Sequence, residues 1–366
     1  MNKRVIAINL PQFHPFKEND EWWGKGFTEW TNVTKAKPRF RGHYQPHLPT
    51  ETGFYDLRLP EARQMQADMA REAGIYGFCY YHYWFNGHQL MERPLEEILK
   101  SGEPDFPFML CWANENWSRN WDGGFRKILM EQHYSNADNI EHMHFLCEKY
   151  FSDPRYIRVN NKPMFVVYKP ELIPNVQACI NNWRKVAVEY DMELYLAYMT
   201  RTDDDFIKYG FDCAIDFQPH SSPVLYKSKW LQMQHIRSSN ILFRLYSRLI
   251  SKEHIPFNMN FLYSDYSMFM AEQETKLTKK YPSVTPMWDN ASRRKDWFFM
   301  LKNSTPSLYK EWLKKVLNRF IPYSEEENFV FINAWNEWAE GNHLEPDTKW
   351  GRAYLDVTKE AINNCI

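Results

Sequence analysis

The sequence predicts an α/β protein built as a single (β/α)₈ barrel over residues 1–366. Short β-branched and aromatic runs recur eight times along the chain, and most are followed by a segment with helical spacing. That alternation is the signature of parallel βα units, and eight is the number of strands that closes this barrel. No Pro-, Gly- or Ser-rich tether divides the chain. The strands are expected at 4–10, 75–82, 107–112, 163–168, 193–199, 212–217, 284–288 and 329–335. Helices are expected at 60–73, 136–151, 175–190, 266–281, 305–320 and 351–362, the first opening on Pro60 and stopping before Gly74, as helix-end preferences require.

A chain of 366 residues, 44% hydrophobic and 25% charged, with a net charge of −1, buries a large core and has no overall field to attract nucleic acid. Its aromatic share is 17%, with 15 Trp, and sugar rings stack on such surfaces, although a barrel also fills its gaps with aromatic side chains. Six cysteines are scattered, and Cys79, Cys111 and Cys213 fall in expected strands, as buried reduced thiols would. The opening residues run directly into a strand without a secretory h-region, and no run reaches membrane-spanning length, so a cytoplasmic location is expected. A basic amphipathic insertion near 227–262, free of Asp and Glu over 227–252, has the character of a helix that rests on an anionic membrane surface, here the inner membrane, or of an outer barrel helix.

The residues just past each strand are more telling than the strands. His14 comes after the first; His82 and Trp84 close the second; Trp112, Asn114, Glu115 and Trp117 succeed the third; Asp216 ends the sixth; Trp288 and Asp289 succeed the seventh. The eighth leads into Trp335-Asn336-Glu337-Trp338-Ala339-Glu340-Gly341. In a (β/α)₈ barrel these loops converge on the active-site face. Glu337 and Glu340 are three apart, so on a helical turn their Cβ atoms lie about 5–6 Å from each other and both face one ligand. Glycoside chemistry uses such a pair, one carboxyl protonated and one ionised, and closeness itself drives the two pKa values apart. Glu115 and Asp216 are candidates for sugar hydroxyls or, equally, for salt bridges. The long first loop carries Trp22, Trp23, Glu29 and Trp30, which either wall a substrate groove or plug the barrel mouth.

No metal and no cofactor is expected: HExxH, CxxC and EF-hand spacings are absent, and His142 and His144, two apart on an expected surface helix, point to different faces. No Walker A loop and no GxGxxG comes after a strand, so a phosphate cradle is not visible.

These residues carry a resemblance. Leu10-Pro-Gln-Phe-His-Pro15, the run Asn19–Val33, Tyr80-Tyr-His-Tyr-Trp84, Trp112-Ala-Asn-Glu-Asn-Trp117 and Ala334–Gly341 together resemble the WbsX-type family of surface-polysaccharide glycosyltransferases over nearly the whole chain. The last segment is also similar to the Glu-Trp-x-Glu-Gly stretch of glycoside hydrolase family 99, retaining endo-α-mannosidases and mannanases on a (β/α)₈ barrel. That likeness implies that Glu337 engages the sugar 2-hydroxyl and helps it attack the anomeric carbon, and that Glu340 is the general acid and base. Where that family commonly has His between the two, this chain has Ala339. Three functions are compatible with these residues: a glycosyltransferase of O-antigen or capsule assembly, a retaining endo-glycosidase, and a non-catalytic glycan-binding barrel. All three take an oligosaccharide or polysaccharide as partner.

Overall fold

The structure is a computed structural model and describes residues 3–118, 128–220, 259–294 and 298–365, with the isolated positions 242 and 245. Its core is a parallel barrel: β1 (Arg4–Asn9), β2 (Gly77–Phe85), β3 (Phe108–Trp112), β4 (Lys162–Val167), β5 (Tyr195–Thr200), β6 (Cys213–Asp216), β7 in two pieces (Lys280–Tyr281 and Ser283–Val284) and β8 (Phe329–Ile332). Hydrogen bonding runs from the first piece of β7 through β6, β5, β4, β3, β2, β1 and β8 to the second piece of β7. The two pieces flank Pro282, so the barrel closes through one interrupted strand. Pro282 has no N–H to give, but its carbonyl accepts the amide of Phe331 at 2.9 Å, which keeps the seam paired.

Strands buried on both faces read as near-continuous apolar runs, and β2, β3 and β8 are buried along their whole length. The seventh is the exception: the expected 284–288 begins four residues too late, because the proline at 282 hides the strand on either side of it. The helix expected at 266–281 is correspondingly short, Tyr263–Ala271, the chain turning into β7 instead. The segment expected as one helix over 136–151 is α-helical over Asn136–Leu146 and widens to a π-turn over Cys147–Phe151. Helix Arg93–Ser101 is not among the expected elements, although Pro94 near its start and left-handed Gly102 at its end are ordinary helix punctuation. Between β5 and β6 there is only a 3₁₀ turn, Ile207–Tyr209.

All six cysteines are free and five are buried. The basic stretch 227–252 lies outside the described residues, positions 242 and 245 aside. Among the described residues no helix is long and apolar enough to cross a membrane.

Gly77 opens β2 where a side chain has no room: a Cβ there would lie 2.6 Å from the Pro107 carbonyl oxygen and 2.9 Å from Ile157 Cδ1. Gly77→Ala is expected to cost about 1–3 kcal/mol through displacement of the neighbouring strand start, read as a lowered midpoint in thermal or urea unfolding. A variant as stable as the wild type would show that the β2–β3 seam gives way freely.

Candidate active site

A cavity of about 470 Å³ opens at the carboxyl ends of the strands, and all eight strand-and-loop units contribute to its lining, the second through strand β2 itself. Gln12 comes from the first, Tyr81 and Tyr83 from β2, Glu115 and Trp117 from the third loop, and Tyr168 and Lys169 from the fourth. Arg201, Phe217, Trp288, Arg293, Glu337 and Glu340 complete the circuit. A larger recess of about 810 Å³ lies beside it between β6, β7 and the helices packed on them, but holds neither glutamate. The smaller cavity is therefore the candidate site.

The segment after β8 is built so that successive side chains leave in different directions. Asn336 turns back to the end of β1, where it accepts the Leu10 amide at 2.7 Å and donates to the Leu10 carbonyl at 3.0 Å. Trp335 and Trp338 donate their indole N–H groups to Glu345, at 3.0 and 2.6 Å. Glu337 is left to point into the cavity, and the 3₁₀ turn Trp338–Glu340 brings Glu340 round to join it. A 3₁₀ turn eclipses residues three apart, so the two carboxylates share a side. Gly341, at φ +52°, ends the turn against the backbone of Asp289, where a Cβ would meet the carbonyl oxygen at 3.0 Å.

One guanidinium organises the acids. Arg293 reaches Glu337 Oε2 at 3.2 Å and Glu340 Oε1 at 2.9 Å, and its Nε lies 3.0 Å from Glu29 Oε1, with a second, shorter bond from the same fork. Glu29 is fully buried in the short helix Glu29–Thr34 of the first loop. Three carboxylates from the first and eighth loops thus meet one cation from the seventh. Burial pushes Glu337 up to about 8, with the charges of Glu340 and Glu29 adding to the shift and Arg293 opposing it.

The other expected site residues divide. Glu115 lines the cavity and pairs with Lys169 at 2.5 Å. Trp117 lines it too, edge-on to Tyr83 and backed by Trp22 at 6.3 Å. Trp288 contributes to the same wall. Elsewhere the roles are internal. Asp289 lies behind that wall: its Oδ2 takes His43 at 2.5 Å and Gln45 at 2.8 Å, and its Oδ1 caps the turn Asn290–Ser292 that delivers Arg293. Trp30 donates to the Tyr55 carbonyl at 2.8 Å and packs on Trp338; Trp23 stacks on Phe27. Asn114 is fully buried and clips Lys169 by both backbone groups, at 2.7 and 2.8 Å.

His14 is buried against the Pro11 carbonyl, and burial takes its pKa down to about 4. His82, Trp84 and Trp112 lie outside the cavity, packed around His142: the two histidines meet at 2.9 Å, and the Trp84 and Trp112 rings lie 4.7 and 4.9 Å from the His142 ring. The helix bearing His142 is therefore not a free surface there, His142 being wholly buried. Asp216 lines the larger recess, bonded to Gln218, Lys280 and His220, and these partners hold it ionised against its burial.

Sequence reasoning missed Arg293, Tyr81, Tyr83, Tyr168, Lys169 and Arg201. Only Tyr81 and Tyr83 sit inside a conspicuous motif, Tyr80–Trp84, and Arg293 carries no local signal beyond its place after Trp288-Asp289.

Fold and site together define a parallel (β/α)₈ barrel with an acid cluster at the carboxyl ends of its strands. The chain belongs to the family described as glycosyltransferase WbsX, whose model matches residues 5–358. It is 38% identical over 365 residues to the uncharacterized protein WxcX of Xanthomonas campestris pv. campestris (strain ATCC 33913), covering 98% of this chain and 49% of that one. The counterpart in strain B100 is likewise 38% identical, over 363 residues. The chain thus spans about half the length of the curated relatives it matches. Among solved structures it is similar in fold to a glycoside hydrolase-like protein (TM-score 0.59, 14% identity, 99% of this chain and 94% of that chain). It is also similar to the GH99 endo-alpha-mannosidase from Bacteroides thetaiotaomicron (TM-score 0.57, 15% identity, 100% and 98%).

Between about pH 4.5 and 8 the folded chain keeps a proton on Glu337 that the unfolded chain has released, so stability falls as pH rises across that window. Buried Glu345, raised to about 7, contributes in the same sense. Glu337→Gln, neutral at every pH, is expected to unfold at a higher temperature than the wild type, the gap widening from about pH 5 to 8. Parallel profiles would mean that Glu337 is ionised throughout.

Proposed function

We propose that the chain is a carbohydrate-active enzyme that transfers glycosyl groups in the assembly of a bacterial surface polysaccharide, with Glu337 and Glu340 as its working carboxylates. The observation that carries this is their joint projection, on one guanidinium, into a cavity at the barrel mouth walled by Tyr81, Tyr83, Trp117, Tyr168 and Trp288. Aromatic faces suit the apolar faces of sugar rings, and the Glu115–Lys169 pair suits their hydroxyls.

The roles follow from position. Glu340, with 20% of its side chain exposed against 8% for Glu337, is the outer carboxyl, placed for the leaving oxygen and then for the incoming acceptor. As general acid it gives its proton to the departing glycosidic oxygen; as base it later takes one from the acceptor hydroxyl. Glu337, deeper in, takes the 2-hydroxyl proton as that oxygen closes on the anomeric carbon and the glycosidic bond breaks, and returns it when the acceptor oxygen attacks that carbon and the bond to the 2-oxygen opens. Arg293 keeps the two acids together without neutralising either completely.

The second reading is hydrolysis, with water as acceptor in the same site, and the fold shared with an endo-alpha-mannosidase favours it. The test is turnover on an array of bacterial surface glycans, with and without nucleotide-sugar donors, for wild type, Glu337→Gln and Glu340→Gln. Donor-dependent product growth that falls at least ~100-fold in both variants is expected. Glutamate-dependent chain cleavage without any donor would replace transfer by hydrolysis. Full activity in Glu340→Gln would remove the carboxylate assignment altogether.

The pH profile tests the division of roles. With Glu337 as base and Glu340 as acid, kcat/KM should be bell-shaped, its ascending limb having an apparent pKa close to 8 that belongs to the pair of acids. A descending limb there would exchange the two roles, since Glu337 would then be the acid.

A further inference from the structure

Behind the catalytic turn lies a second cluster that the chemistry above does not use. His343 stands two residues after Gly341 in the strand Asn342–His343, and its ring stacks on Trp338 at 3.7 Å, nearly parallel. His47, from the first loop, brings Nδ1 to 3.0 Å from His343 Nε2, and Asp347 Oδ2 lies 3.7 Å from that same nitrogen. All three side chains are buried, and one ligand atom from each falls within 4.8 Å of the others.

Proton accounting shows what is missing. His343 Nδ1 lies 3.0 Å from the Glu345 carbonyl, which can only accept, so the ring's single proton sits there. With that proton on Nδ1, Nε2 carries a lone pair, which also faces His47 Nδ1 at 3.0 Å. That lone pair faces Asp347 Oδ2, a buried oxygen that meets no donor in hydrogen-bonding geometry. The other oxygen of Asp347 is fixed by the amides of Lys349 at 2.9 Å and Trp350 at 2.6 Å, so the carboxylate cannot turn away. A buried carboxylate oxygen without a hydrogen bond, beside two imidazole nitrogens, suits a cation held among them.

We propose that His47, His343 and Asp347 bind a divalent zinc ion that clamps the catalytic hairpin to the first loop. Two imidazoles and one carboxylate are a zinc donor set, and tetrahedral bonds of about 2.0–2.1 Å put ligand atoms about 3.3 Å apart, between the 3.0 and 3.7 Å seen here. The outer contacts are those of a built site: His343 is oriented through its other nitrogen and Asp347 through its other oxygen. Tyr44 stacks on His47 at 4.1 Å and brings a further oxygen to this part of the molecule. The ion is structural. It stands on the far side of Trp338 from the cavity, and its effect on Glu337 and Glu340 is to hold the turn that carries them.

The experiment uses the whole chain, stripped with a chelator, re-equilibrated with zinc chloride and passed through a desalting column. Metal content is read by elemental mass spectrometry and stability by thermal unfolding. About one zinc per chain should be retained, with a higher unfolding midpoint than the stripped protein, and cobalt in its place should show the visible absorption of a tetrahedral centre. Asp347→Asn and His47→Gln should each lose the retained zinc and the thermal shift. Asp347→Asn preserves shape and the bonds to Lys349 and Trp350, so it tests the site even if a histidine variant folds poorly. A wild-type chain that retains no zinc, or an Asp347→Asn chain that retains as much as the wild type, overturns the proposal and leaves a hydrogen-bonded His-His-Asp relay. Both readouts are independent of any glycan substrate.

Discussion

The arrangement of the barrel mouth depends on a buried carboxyl group that, among the described residues, meets no cation. Glu345 accepts hydrogen bonds from Trp335, Trp338, Gln66 and Tyr55, all between 2.6 and 3.0 Å. Burying this group is costly to its charged form, and four donors in good geometry offset part of that cost, burial still holding its pKa at about 7. Their origins give the group its reach: two indoles come from the turn after β8, an amide from helix Pro60–Glu72, and a phenol from the first loop. With both indoles pinned on one side, and Asn336 hooked to β1 on another, Glu337 has one direction left.

The same logic governs the acid cluster. Three carboxylates on one guanidinium leave net negative charge in a partly dry place, and the outcome is a proton retained on Glu337. The local arrangement is thus held against an electrostatic gradient by neighbouring hydrogen bonds, a cost in stability that functional sites commonly carry.

Most of the barrel was legible in the sequence because doubly buried strands leave long apolar runs. β7 was not, since Pro282 divides it into two pieces of two residues, too short for any periodicity to register. Glu337 and Glu340 stood out because two carboxylates directly after an apolar strand are conspicuous. Arg293 was invisible for the opposite reason: its partner Glu29 is 264 residues away, and an arginine in a polar loop has no local pattern. Trp335 and Trp338 resembled sugar platforms because an indole looks the same in sequence whether it faces a ligand or a buried acid. Only Glu345, up to ten residues downstream, decides between them. His82, Trp84 and Trp112 carried the same ambiguity, resolved by His142 on a helix that packs on the barrel wall.

The rim of the cavity is divided into two arcs. Loops one, seven and eight are fastened to one another by Glu29, Arg293, Glu337 and Glu340, with Asp289 behind them. Strand β2 and loops three and four present Tyr81, Tyr83, Glu115, Trp117, Tyr168 and Lys169, with the Glu115–Lys169 pair between loops three and four. Substitution in the second arc therefore changes the cavity wall while leaving the acid cluster in place. Insertions and exchanges in the second arc alter the shape of the cavity, whereas changes in the first disturb the placement of Glu337 and Glu340.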